Sequence, residues 1–295
     1  MEIRHLVYFL EIAKHASFTK ASENLHVSQP NLSKAVKSLE QELGASLIVR
    51  TTRKAQLTEA GELLRTHAQI VTASLANLHS AFADLNEMRS GSIKLGIPPL
   101  IGARLFPDLI AKFQERFPLI TVSFVEHGSK VLEQSILEGN LELAVVMLPV
   151  DENEFNVEPI VNGKITLGLH PNHPLAHRSV ISLRDLREEK FILFGSTFKV
   201  NSSVREVCIR EGFEPNIIYE SSHWDFIFEM VAANLGITLL PEIIFDRIEP
   251  ERITVKRELL PAIPWNIAII WRKDGYLSHA SRGFIEFAKR SFTEA

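Results

Sequence analysis

Residues 26–44, HVSQPNLSKAVKSLEQELG, decide how the amino-terminal part of the chain reads. The stretch opens on a polar turn. It meets Pro30 in the first turn of a helix, where amides lack intrahelical partners, and closes on Gly44. Leu32, Val36, Leu39 and Leu43 recur at the spacing of a helix face turned towards a core. The opposite face carries Pro30, Ser33, Lys34, Lys37 and Gln41, with no acid among them. Hydroxyls and amides bond to base edges and lysines neutralise phosphates, so this face has the chemistry of a helix laid in a major groove. Taken alone, it reads equally well as a solvated surface.

Working outward, IRHLVYFLEIAKHA places Leu6, Phe9, Leu10 and Ala13 on one helical face. Ser17 then caps a second helix carrying Phe18, Ala21 and Leu25. HVS is too short for anything but a tight turn, and Ser28 is placed to cap the next helix. Two short helices about a tight turn, with a third beneath them, make a helix-turn-helix. Next comes ASLIVRTTRKAQLT, two short apolar strands flanking RTTRK, a hairpin that would bring Arg50, Arg53 and Lys54 to a phosphate backbone as a wing. Charge supports the division. Residues 1–58 hold 8 Lys+Arg and 5 Asp+Glu, hence +3, within a chain of formal net charge -4. The expected contacts to double-stranded promoter DNA are Ser28, Gln29, Pro30, Ser33, Lys34, Lys37, Arg50, Arg53 and Lys54.

These residues carry a family resemblance. Ala21, Leu25, Ser28-Gln29-Pro30, Leu32-Ser33, Leu39-Glu40, Leu43-Gly44, Arg50 and Leu57-Thr58-Glu59-Ala60-Gly61 are co-spaced as in the winged helix-turn-helix of LysR-type transcriptional regulators. The chain departs from that pattern at Ile48-Val49, where a phenylalanine is usual, which bears on wing packing.

From Thr58 to about Met88 there is no proline, and the only glycine, Gly61, lies in the first turn. Leu64, Ala68, Val71, Leu75, Leu78, Phe82 and Leu85 follow the alternating four-three spacing of a coiled-coil seam. A helix of that length, ~46 Å at ~1.5 Å per residue, needs its stripe covered. Its own body or the same helix of a second chain would serve. The LysR resemblance implies the second, in a homodimer or homotetramer. Two-fold symmetry then predicts a pseudo-palindromic operator.

After SGS at 90–92 the periodicity changes. SIKLGIPP, ITVSFVEHG and LELAVVML read as strands separated by the helical RLFPDLIAKFQERFP and KVLEQSILEGN. The order begins again at KITLGLHPNHPLA, and the alternation is that of a parallel α/β sheet. This resembles the family's effector domain, a periplasmic-binding-protein-like α/β pair of lobes. The fold class is therefore α+β multidomain: a winged helix-turn-helix at 1–58, a long dimerisation helix at 59–89 and a two-lobe effector domain at 90–295. By analogy lobe I covers about 90–162 and 267–295, and lobe II about 163–266. Within the family, the body is most similar to CidR-type regulators.

Ligands of open α/β sheets bind beyond the carboxyl ends of the strands. Those ends nominate Leu100, Ile101, Gly128, Ser129, Met147, Ser196, Thr197, Phe198, His223 and Trp224 for a small-molecule effector, with a carboxylate suiting the hydroxyls and helix-start amides. Such loops are also polar simply because they are loops. Pro98-Pro99, where the family often has serine or threonine, removes two backbone donors.

Several functions are set aside. Gly-x-Ser-x-Gly, a phosphate loop and His-Glu-x-x-His do not occur, so no enzyme is expected, and no cofactor. One cysteine, Cys208, excludes a cysteine-clustered zinc site and an intrachain disulfide, and it fits a packed helix face. Charges interrupt the first eighteen residues, unlike a secretory signal, and nothing approaches a membrane span. The expected location is the cytoplasm, and a transport-type solute-binding protein is disfavoured.

Overall fold

The computed structural model describes residues 1–50, 55–86, 91–247 and 255–293. Two compact units emerge: Met1–Asn86 with Glu138–Asn140, and Glu87–Leu137 with Leu141–Ala295.

In the first unit, α1 (Ile3–His15), α2 (Phe18–Leu25) and α3 (Gln29–Leu43) precede a hairpin of β1 (Ile48–Arg50) and β2 (Ala55–Leu57), then α4 (Glu59–Asn86). Ser17 Oγ accepts from the Lys20 amide at 3.3 Å, capping α2. The helix ends at His26, whose φ of 53° turns the chain sharply into α3. Ser28 occupies the N-cap position of α3 but makes no side-chain cap bond, which corrects that expectation. Gly44 closes α3 with φ 67°, a conformation that favours glycine.

The core of this unit joins Leu6, Phe9 and Ile12 of α1 to Leu32, Val36 and Leu39 of α3. Two details differ from the periodicity reading. Ile12 is fully buried and Ala13 only partly, and Leu43 is 45% exposed while Ala35 is buried in its stead. Leu43 is the last residue of α3.

The loop from α3 to α4 is held by residues of the family pattern. Glu40 Oε1 accepts from the Leu47 amide at 2.8 Å. Thr58 Oγ1 donates to the Ser46 carbonyl at 2.6 Å and accepts from the Gly61 amide at 3.0 Å. A Cβ at position 61 would stand 2.1 Å from the Leu47 carbonyl oxygen, so only glycine admits this approach.

α4 runs for 28 residues. Its first two seam positions serve the head of their own chain: Ala68 is buried in the head core and Leu64 packs against it. That corrects the seam, whose Leu64 end is covered without a second chain. Beyond it Leu75 is half-buried, and Val71 and Leu78 are 42% and 52% exposed. The side chains of Phe82 and Leu85 lie outside the described residues.

In the second unit, β3 (Gly91–Ile97), β4 (Ile120–Glu126) and β5 (Leu143–Met147) pair in parallel, with β3 central. They alternate with α5 (Pro99–Leu105), α6 (Pro107–Arg116) and α7 (Ser129–Leu137). The stretch read as one helix thus divides at Phe106, because Pro107 starts a new helix rather than continuing one. β6 (Phe155–Leu169) begins nine residues before the expected KITLGL strand. Its early half finds an antiparallel partner in β12 (Ile263–Arg272), from Phe155↔Arg272 to Ile165↔Ile263.

The late half of β6 pairs with β10 (Thr238–Pro241) and β11 (Val255–Leu260). β11 continues to β7 (Val180–Ser182), and β8 (Lys190–Phe194) pairs in parallel with β9 (Asn216–Ser221). The sheet is mixed rather than purely parallel, because β6 and β12 run against their neighbours. α8 (Lys199–Arg210) follows β8, α9 (Trp224–Ala232) follows β9, and α10 (His279–Thr293) ends the chain as described. Phe284 of α10 packs edge-on against Phe113 of α6, 5.1 Å between centroids, so the last helix belongs with the first strands.

Gly61→Ala is expected to destabilise the head by about 2 kcal/mol, as overpacking against a rigid carbonyl does. Hydrogen exchange should show α1, α3 and α4 amides losing protection while those of β3 and β12 keep theirs.

Candidate functional site

Two places in the molecule present chemistry. On the head, the face of α3 opposite the core is open: Ser28, Gln29, Pro30, Lys34, Lys37 and Gln41 are exposed, and Ser33 is half-buried. Gln29 Nε2 donates to Thr19 Oγ1 at 2.8 Å, which ties the starts of α2 and α3 together and orients that amide. Thr19 is a participant that sequence spacing did not single out. Its exposed position at the start of α2 was the available signal.

The hairpin register, Ile48↔Leu57 to Arg50↔Ala55, places position 50 at the end of the β1–β2 ladder, and the Ala55 amide donates to the Ala16 carbonyl at 2.9 Å. The hairpin is thereby pinned to the end of α1. Arg53, Lys54 and the side chain of Arg50 lie outside the described residues. Beneath this face, Glu11 Oε1 accepts from Asn24 Nδ2 at 3.0 Å and is 2.9 Å from His15 Nε2. The Asn24 hydrogen bond leads the effects that hold the Glu11 carboxyl below its ordinary value. The cluster links α1 to α2.

In the body, strand ends of the first lobe meet strand ends of the second. Gly128, after β4, approaches Thr197, after β8, so closely that a Cβ there would lie 2.4 Å from the Thr197 carbonyl oxygen. Around this contact, Lys130 Nζ donates to the Ser196 carbonyl at 3.3 Å. The Lys199 ammonium donates to the Pro149 carbonyl and stands 2.8 Å from Glu133 Oε1. The Arg104 guanidinium lies 4.5 Å over the Trp224 ring. Phe198 stacks on Phe194 at 5.0 Å.

The ten nominated effector residues therefore divide. Gly128, Ser196, Thr197, Phe198 and Trp224 gather at the meeting of the lobes, with His223 exposed beside Trp224. Leu100, Ile101 and Met147 are corrected: they are 5%, 3% and 3% exposed and belong to the hydrophobic core. Ser129 is also buried, and its Oγ accepts from the Met147 amide at 3.1 Å, so its hydroxyl holds the strand end.

The charged residues that bridge the lobes, Arg104, Lys130, Glu133 and Lys199, were missed because they stand on helices, where charge ordinarily means solvent. Burial raises the Glu133 carboxyl above its ordinary value, against the opposing pull of the Lys199 hydrogen bond and the Lys199 and Lys130 charges. A groove of about 350 Å³ is lined by Ile97, Pro99, Phe106, Ile110, Phe124 and Glu126. Among the described residues no group of three or more His, Cys, Asp or Glu is placed to hold a metal ion, and no helix is long and apolar enough to cross a membrane.

Comparison with known proteins covers both the head and the body. The model of the bacterial regulatory helix-turn-helix protein, lysR family, matches residues 3–62, and that of the LysR substrate binding domain matches residues 86–293. The HTH-type transcriptional regulator YwbI of Bacillus subtilis is 46% identical over 289 residues, covering 98% of this chain and 96% of the relative. The dual regulator OxyR of Escherichia coli is 30% identical over 252 residues, covering 85% of this chain and 82% of the relative. Among solved structures, a full-length OxyR variant from Pseudomonas aeruginosa is similar with a TM-score of 0.70 and 27% identity, over 99% of this chain and 94% of that one. CbnR shares the fold at a TM-score of 0.70 and 21% identity, over 99% of both chains. Two family models that between them match the head and the body, with relatives 46% and 30% identical over most of the chain, identify the chain as a member of the LysR family of DNA-binding transcriptional regulators.

Proposed function

We propose that this regulator binds promoter DNA as a homodimer or a dimer of dimers, with α3 of each head in the major groove, and answers to a small carboxylate held between the lobes of its body. The observation that carries the DNA contact is the exposed face at Ser28, Gln29, Pro30, Ser33, Lys34 and Lys37, which the head core leaves unoccupied. Arg50, Arg53 and Lys54 extend it onto flanking phosphates. Val71, Leu75 and Leu78 supply the pairing seam of α4, and a tethered second head raises the effective concentration of the first at its half-site. Action on chromosomal promoters places the protein in the cytoplasm.

The effector reading rests on the convergence of Gly128, Ser196, Thr197, Phe198 and Trp224 where the lobes meet, beside two lysines. Ligand binding there shifts the balance between lobe arrangements, and the paired heads follow. The likeness to CidR-type regulators rests on sequence alone.

A peroxide-sensing reading is suggested by relatives named hydrogen peroxide-inducible genes activators. The chemistry argues against it. Cys208 is the one cysteine of the chain, is fully buried, and burial pushes its thiol up to about 11. Dithiol oxidation within the chain has no second sulfur, and the thiolate that peroxide attacks is scarce at neutral pH.

Two outcomes test the DNA reading. Lys34→Ala with Lys37→Ala should weaken operator binding and flatten its salt dependence by roughly one unit of slope per phosphate contact removed. Unchanged affinity and slope in a titration across salt concentrations would reject the assigned face. Leu75→Asp should leave the body folded and shift the sedimenting species to a smaller one, whereas an unaltered sedimentation coefficient would remove α4 as the seam. Footprinting upstream of the protein's own gene, with candidate metabolites added, tests the effector.

A further inference from the structure

Where the lobes meet, a carboxylate of the protein itself stands against an ammonium. Glu133, on α7 of the first lobe, places Oε1 2.8 Å from the ammonium of Lys199, the first residue of α8 in the second. The side chains are only 19% and 14% exposed, so neither charge is well hydrated and each depends on the other. Lys199 is held from a second side by the Pro149 carbonyl.

The charges do not balance. Lys130 bonds the Ser196 carbonyl and also acts on Glu133, so two ammonium groups face one carboxylate. The carboxylate is the less comfortable partner, because its burial works against its ionisation. Nearby in the chain, Phe198 stacks on Phe194, and Trp224 lies under the Arg104 guanidinium, both rings half-buried. Together these observations describe a buried ammonium between the lobes that one carboxylate of the chain itself satisfies.

We propose that Lys199 is an anion anchor where the lobes meet and that Glu133 occupies it until a small carboxylate binds by displacing the Glu133 side chain. This rests on the reading of the interlobe region as the effector site and gives that site its chemistry. The exchange is one carboxylate for another on the same ammonium, with no covalent step. It replaces a bridge built into the chain, α7 to α8, by one that passes through the ligand. Because the bridge joins the two lobes, the swap changes what sets their spacing, which is the physical requirement for a ligand to bias one arrangement over another. Glu133 thereby acts as a threshold: the ligand must outcompete a carboxylate present at high effective concentration.

The test uses the full-length protein with carbon-13-labelled acetate as the carboxylate probe and acetamide as its uncharged counterpart, followed by NMR titration. Wild type should bind acetate weakly and acetamide not at all. Glu133→Gln, which removes the competing charge and keeps the shape, should bind acetate about tenfold more tightly, and Lys199→Gln should lose binding. Lys199→Arg keeps the charge and should retain binding, which guards against a loss of fold being mistaken for loss of the anchor. Equal acetate affinity in wild type and Glu133→Gln, or retention by Lys199→Gln, overturns the displacement while leaving the effector site in place. Failure of acetate to bind any variant overturns the anion anchor. If metabolites also leave the footprint unchanged, the effector reading falls with it.

Discussion

The antiparallel pairing of β6 with β12 is the constraint on which the body depends. These two strands lie side by side from Phe155↔Arg272 to Ile165↔Ile263, and strands of both lobes attach to them. On one side of this pair, β5, β3 and β4 complete the first lobe's sheet; further along β6, β10 and β11 begin the second. The register shifts between Ile267 and Ala268, near the middle of β12, where the ladder loses its regularity. Any ligand that acts between the lobes acts against the stiffness of this pair.

Given that spine, the contacts beyond it decide how the lobes meet. Gly128 stands against the Thr197 backbone, and the absence of a side chain at 128 is what permits it. Around this apposition, charge does the remaining work. A partly buried ion pair contributes little net stability, since lost hydration offsets most of the attraction. Its value is positional: removing either partner leaves the other exposed to the full cost of burial. The Glu133–Lys199 pair therefore suits control better than stabilisation.

The head follows a different economy. Much of its family pattern serves the fold rather than recognition. Glu40 holds the Leu47 amide, Thr58 bridges Ser46 to Gly61, and Gly61 lies under the Leu47 carbonyl. These residues fix where the hairpin leaves α3 and where α4 begins. Once α1, α3 and α4 enclose Phe9, Leu32, Leu39 and Ala68, the polar edge of α3 has nowhere to go but outward. The outward placement of Lys34 and Lys37 is thus a consequence of how the core is placed.

What the sequence determined by itself was local. Periodicity placed α1 to α4 and most strands, because helix and strand faces repeat over short distances, and the spacing of Ser17, Pro30 and Gly44 marked the helix ends. Family likeness supplied the two-lobe body. Tertiary structure alone decided the rest. Leu43 and Leu64 have the same apolar character, yet one is exposed and the other packs on the head, since burial depends on which neighbour arrives. The early half of β6 escaped notice because its alternation is weak and its partner, β12, lies about a hundred residues later in the chain. Leu100, Ile101 and Met147 stand at strand ends and read as cleft residues until the core closes over them. Glu133 and Lys199 carry no local signal at all, being separated in sequence and ordinary on their helices. Only folding brings opposite charges to 2.8 Å, and an interaction between distant residues has no period to read.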